Sequence, residues 1–124
     1  MEEALRKHRI SFQNAFAGLR WAVSTQPNFR VHLTFSVLAL ILCWYLSVSA
    51  VETTIIVFVI ILGLSAEMIN TALESMTDLI TKEWHAEAKI AKDVSAGMML
   101  LTAAGAVVIA CLIFGPRLVV RFGL

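Results

Sequence analysis

Charge is scarce in this chain. Asp, Glu, Lys and Arg make up 15% of its 124 residues, against about 25% in soluble domains. Ten basic and nine acidic residues leave a net charge of +1, which argues against nucleic acid, a partner that calls for a basic stripe. Cysteine is nearly absent. Cys43 and Cys111 both lie in apolar runs and form no CxxC pair, so a secreted disulfide scaffold is excluded and packing as small apolar residues is expected. There is no internal repeat, no low-complexity tract and no GxxxxGK[ST] or GxGxxG loop, so a glycine-rich phosphate cradle is absent. No secretory signal is expected either. The first long apolar run starts only near Val31, after Arg6, Lys7, Arg9, Arg20 and Arg30.

Apolar residues fill the space that charge leaves. They make up 59% of the chain, and the mean hydropathy is +0.81. A chain this short has too little interior to hide that much apolar surface from water, so lipid is its natural solvent. Leu33–Val51 and Val94–Pro116 carry no charge, and Thr53–Thr77 is apolar except for Glu67, Asn70, Glu74 and a few hydroxyls. Each run is long enough to cross a hydrocarbon core as a helix. The fold class expected is an all-α membrane protein forming one membrane domain. Its parts are a surface helix over 4–26 and spans over 29–51, 53–80 and 91–116.

In the surface helix Phe12, Phe16, Leu19 and Val23 share one face. Such a basic, aromatic-bearing helix lies flat in the headgroups. Pro27 ends it, and Asn28 is positioned to cap the next helix. Ser47–Glu52 reads as a tight turn without Lys or Arg, and Asp78–Asp93 as a polar connection with Lys82, Lys89 and Lys92. The positive-inside rule then puts the N-terminus and the second connection in the cytoplasm, although Arg117 and Arg121 fall on the outer side. Gly97, Ala104, Gly105 and Ala110 allow close helix approach in lipid. Three helices cannot shield several buried polar groups on all sides, so an oligomer is expected.

Glu67 and Glu74 decide the functional class. A carboxylate at mid-bilayer costs about 2.5–3.5 kcal/mol on insertion scales, and intramembrane acids are functional by default. Glu67, Asn70, Glu74 and Asp78 follow at i, i+3, i+7 and i+11, a stripe roughly 80° wide. Two carboxylates with an amide between them can hold a divalent ion or carry a proton. Lys92 suits a phosphate as a point donor, and Asp93 suits a helix cap. The residues by themselves leave a membrane enzyme, an ion or proton path, and polar glue between helices all open.

The run Glu67–Glu74 (EMINTALE) resembles the E-x-x-N-[ST]-A-x-E signature of the small prokaryotic diacylglycerol kinases. Asp78, Glu83-Trp84-His85 and Ala91-Lys92-Asp93 follow at the family's spacing, and Ser11-Phe12 with Asn28-Phe29-Arg30-Val31-His32 resembles its undecaprenol kinase branch. The resemblance covers about Arg9 to Phe114. It implies a homotrimer of three-span subunits in the bacterial inner membrane. The implied reaction moves the γ-phosphate of Mg-ATP onto the hydroxyl of a membrane lipid, diacylglycerol or undecaprenol. Carried over by position, it implies Glu67 as general base and Glu74 as a Mg²⁺ ligand. Arg9, Ser11, Asn70, Glu74, Lys92 and Asp93 are implied as nucleotide contacts, with Asp78 and His85 in support. The family usually has Glu as a second metal ligand where this chain has Gln26, and an amide oxygen ligates without charge. A catalytically weakened member and a small oligomeric channel are the alternatives.

Overall fold

The computed structural model describes residues 1–123. Four helices follow in order: α1 (Glu2–Thr25), α2 (Pro27–Tyr45), α3 (Ala50–Ile80) and α4 (Ala86–Phe122). The last three are each long and apolar enough to cross a membrane. α3 and α4 form the most extensively packed pair, α2 lies along α3, and α1 touches mainly α2.

The helix ends differ from the sequence expectations, for local reasons. Gln26, in extended conformation, closes α1 and caps α2, with Pro27 as the first helical residue. Proline has no N–H to waste there and its φ is preset for a helix. Asn28 is therefore inside α2, not its cap. α2 stops at Tyr45, short of the expected Val51. The Val48 N–H donates to the Cys43 carbonyl at 3.0 Å and the Ser47 N–H to that of Trp44 at 3.2 Å, with Ser47 at φ +49°. This is a Schellman ending. Ser49 and Glu52 then form a reciprocal capping box, which starts α3 at Ala50 and moves Glu52 out of the turn into the helix.

The second connection shrinks to Thr81–His85. α4 begins at Ala86 rather than 91, so His85 holds the cap position and Asp93 lies within the helix. α4 also runs through Pro116 to Phe122 instead of ending there. The Arg117 guanidinium donates through Nη1 to the Ile113 carbonyl at 2.6 Å, next to the place where proline withdraws an N–H. Gly123, at φ +68°, ends the helix.

Burial is divided by chemistry. Near the α2–α3 turn, Cys43, Ile56, Ile113 and Phe114 form an apolar cluster. Toward the α3–α4 turn the buried side chains include Glu67, Asn70, Thr71 and Ser95. Cys43 packs as expected, but Cys111 is exposed on the outer face of α4. The apolar stripe of α1 (Phe12, Phe16, Leu19, Val23) is exposed. α1 instead packs through Gly18, Ala22 and Gln26, about a quarter-turn away. No atom lies within 4 Å of a Cβ built on Gly97 or Gly105, so neither gives close approach inside the subunit.

Candidate active site

α3 carries the acidic stripe, and its two neighbours decide how much of it is covered. In the hairpin of α2 and α3, Cys43 and Ile56 share the apolar cluster. Eleven residues back along α2 is His32, and eleven forward along α3 is Glu67. Equal steps along antiparallel helices place these two at one level, and eleven residues are close to three whole turns, so both keep the facing side. The same count puts Pro27, where α2 begins, opposite residue 72. Beyond that point α3 has lost its α2 neighbour. Glu67 is accordingly 4% exposed and Asn70 6%, whereas Glu74 and Asp78 are exposed.

Asn70 Nδ2 donates to Glu74 Oε1 at 3.3 Å. This fixes the amide, because the flipped form would set two acceptors against each other. Asn70 Oδ1 is then buried without a hydrogen-bond partner among the described residues. An orphaned acceptor beside a carboxylate is a pair of hard oxygen donors, which suits Mg²⁺. No group of three His, Cys, Asp or Glu side chains able to hold a metal occurs among the described residues. Ligands beyond Asn70 and Glu74 would have to come from elsewhere, such as phosphate oxygens or water.

Further toward the turn, Lys92 Nζ pairs with Asp78 Oδ1 at 2.5 Å, and Lys89 pairs with Asp93. The Ser95 hydroxyl, almost wholly buried, donates to the Lys92 carbonyl at 3.0 Å. His85 lines a shallow hollow with Thr77, Ile80 and Thr81. Glu67, Asn70, Glu74, Asp78, Lys92 and Asp93 thus lie along one end of the α3–α4 pair. The sequence-predicted contacts on α1 are not tied to them. Arg9 is exposed, Ser11 donates to its own helix at the Lys7 carbonyl, 3.0 Å away, and Gln26 Nε2 donates to Thr25 Oγ1 at 3.3 Å.

Two features were not singled out from the sequence. An apolar cavity of about 340 Å³ runs between α2, α3 and α4, from Phe114 and Ile56 at one end to His32, Gly63 and Thr102 at the other. Glu67 lies one helical turn beyond Gly63 on the same face. His32 is half-buried at that end of the cavity. The residues were in plain view as the last of the Asn28–His32 run.

The chain is similar to proteins whose names share one chemistry. It is 39% identical over 111 residues to a diacylglycerol kinase of Synechocystis sp., covering 88% of this chain and 63% of that protein. It is 37% identical over 109 residues to an undecaprenol kinase of Bacillus subtilis, covering 87% and 88%. It is 27% identical over 99 residues to a diacylglycerol kinase of Escherichia coli K12, covering 80% and 81%. Residues 13–114, a stretch containing the whole stripe of α3, match the prokaryotic diacylglycerol kinase family, to which this chain belongs.

Proposed function

We propose that this chain is an ATP-dependent lipid kinase of the bacterial inner membrane, assembled as a homotrimer. The N-terminus and the α3–α4 turn are cytoplasmic, and α1 lies in the headgroup layer. The carrying observation is the buried Glu67, one helical turn along α3 from the cavity residue Gly63 and one to two turns from the Asn70–Glu74 pair. The cavity, near the lower size limit of small-molecule pockets, accommodates part of an acceptor's apolar tail and leaves its hydroxyl beside Glu67. Glu67 takes the proton of that hydroxyl as general base. Asn70 Oδ1 and the Glu74 carboxylate would hold Mg²⁺, which when bound neutralises phosphate charge. Lys92 exchanges Asp78 for a phosphate oxygen, and Asp93, His85, Arg9 and Ser11 complete the nucleotide contacts. The exposed small face of α4 at Gly97, Ala104 and Gly105 suits the contact between subunits.

The names of the relatives do not separate the acceptors, since diacylglycerol and undecaprenol both present a primary hydroxyl on an apolar tail. The test is to supply the purified protein with γ-labelled ATP, Mg²⁺ and each lipid in turn. Label is expected on one or both lipids, and a folded, assembled protein that labels neither refutes the reading. A second reading, a family member with weakened turnover, is favoured by Gln26, which brings no charge to a metal. The same assay separates the two by rate.

A further inference from the structure

The end of the molecule away from the proposed active site carries a cation that the kinase reading leaves without a task. Arg117 closes the uncharged run Val94–Pro116, and Arg121 follows one turn later on the same side of α4. α4 brings Arg121 to the α2–α3 turn because it continues through Pro116. The two arginines meet different partners there. Arg117 donates through Nη2 to Glu52 Oε2 at 2.7 Å and through Nη1 to the Ile113 carbonyl at 2.6 Å. Among the described residues Glu52 is the one acidic side chain at this end of the helices, and Arg121 enters no ion pair. Its guanidinium lies over the Tyr45 ring, 5.6 Å from the centroid, and both side chains are exposed.

We infer that Arg121 and Tyr45 form a binding site for the phosphate of an anionic phospholipid headgroup. The ring face attracts the guanidinium charge and steadies its place, but it leaves the planar fork of N–H donors free. That fork matches two oxygens of a phosphate. The depth fits as well. The site begins where the uncharged run of α4 stops, in the layer where lipid phosphates lie and where aromatic rings of this kind collect. Two arginines against one glutamate leave a positive surplus at this end, so the missing partner is an anion. The surroundings favour a lipid over a soluble anion: Trp44, Val120 and Phe122 beside the site are 82%, 85% and 62% exposed, an apolar surface that acyl chains would cover. This site requires the helices to cross a membrane and stands whether or not the chain transfers phosphate.

Tyr45 is the single tyrosine of the chain, so isotope-labelled tyrosine gives an NMR signal that reports on this site alone. The full chain in nonionic detergent micelles is titrated with phosphatidylglycerol, with phosphatidylcholine and with inorganic phosphate. The Tyr45 ring signals are expected to shift saturably with phosphatidylglycerol and to stay in place with the other two. In Arg121→Gln the half-saturating concentration is expected to rise by about tenfold or more, the scale of a lost hydrogen bond to a charged group. Lys7→Gln, which removes one positive charge from α1, is expected to leave the response as it is. An equal shift with phosphatidylcholine overturns the proposal, as does one with inorganic phosphate. So does a response that survives Arg121→Gln or that weakens equally in Lys7→Gln, since the latter reports net charge alone. No response from Tyr45 also overturns it, and leaves Arg121 as a cation at the negative pole of α4. Arg121→Met, which keeps the apolar stem without the charge, repeats the measurement if Arg121→Gln fails to fold.

Discussion

Asn70 shows how one atom can report on a site. Its amide is oriented by Glu74, and its carbonyl oxygen is left buried and unpaired, a cost of about 1–3 kcal/mol unless something binds there. A bound cation would relieve it. Asn70→Ala is therefore expected to raise the Mg²⁺ concentration for half-maximal rate by about tenfold or more, on the scale of lost metal contacts, as a Mg²⁺ titration of the labelling assay would read. Gln26→Glu is expected to lower that concentration by adding charge to the metal site. No change, or a rise, would place residue 26 away from the ion. Glu67→Gln removes the base but keeps the shape. It should cut kcat by about 10²–10⁴ with the same oligomer seen by size-exclusion chromatography and light scattering, and parental activity would take Glu67 out of that role.

Helix ends carry the next level of detail. The α2–α3 turn puts Ser47 in the left-handed region at φ +49°, where most Schellman endings place glycine. A serine there bears strain that glycine would not, set against glycine's greater chain entropy. Ser47→Gly is expected to stabilise the protein by about 0.5–1 kcal/mol, seen as a higher unfolding midpoint in detergent, and an unchanged or lower midpoint would mean that the turn holds Ser47 without strain. Such ends are where sequence reading fell short. The length of the uncharged apolar runs found the three long helices, because lipid permits little else. It could not tell Val51 from Tyr45 as an end, since Leu46 and Val48 are as apolar as the helix before them. The cue that fixes the turn is Ser49 with Glu52, a capping box written in polar residues. Likewise Pro116 reads as a stop, yet α4 continues through it. The acidic stripe was legible as a face of α3. Its division into a buried upper part and an exposed lower part was not, because that depends on where α2 begins beside it.

Across the whole molecule, two ion pairs fix α3 against α4 at opposite ends. Glu52 meets Arg117 at 2.7 Å and Asp78 meets Lys92 at 2.5 Å. The 26 residues from Glu52 to Asp78 span about 39 Å of helix. That exceeds the roughly 30 Å hydrocarbon core and falls just short of the full bilayer of about 40–45 Å, so each pair sits in a headgroup layer. At that end Arg117 pairs with Glu52, and Arg121 keeps its charge over the Tyr45 ring at 5.6 Å. In the orientation proposed above, the larger basic count faces the cytoplasm: Arg6, Lys7, Arg9, Arg20 and Arg30 before the first apolar run, and Lys82, Lys89 and Lys92 near the α3–α4 turn, against Arg117 and Arg121 on the other side. With Cys43 and Cys111 both replaced by alanine, a single cysteine at Ser49 is expected to react with a membrane-impermeant maleimide in intact cells whose outer barrier is opened. One at Lys82 is expected to react only after the inner membrane is permeabilised. The reverse pattern would invert the chain and put the Asp78–Lys92 end, with Glu74 beside it, out of reach of cytoplasmic ATP.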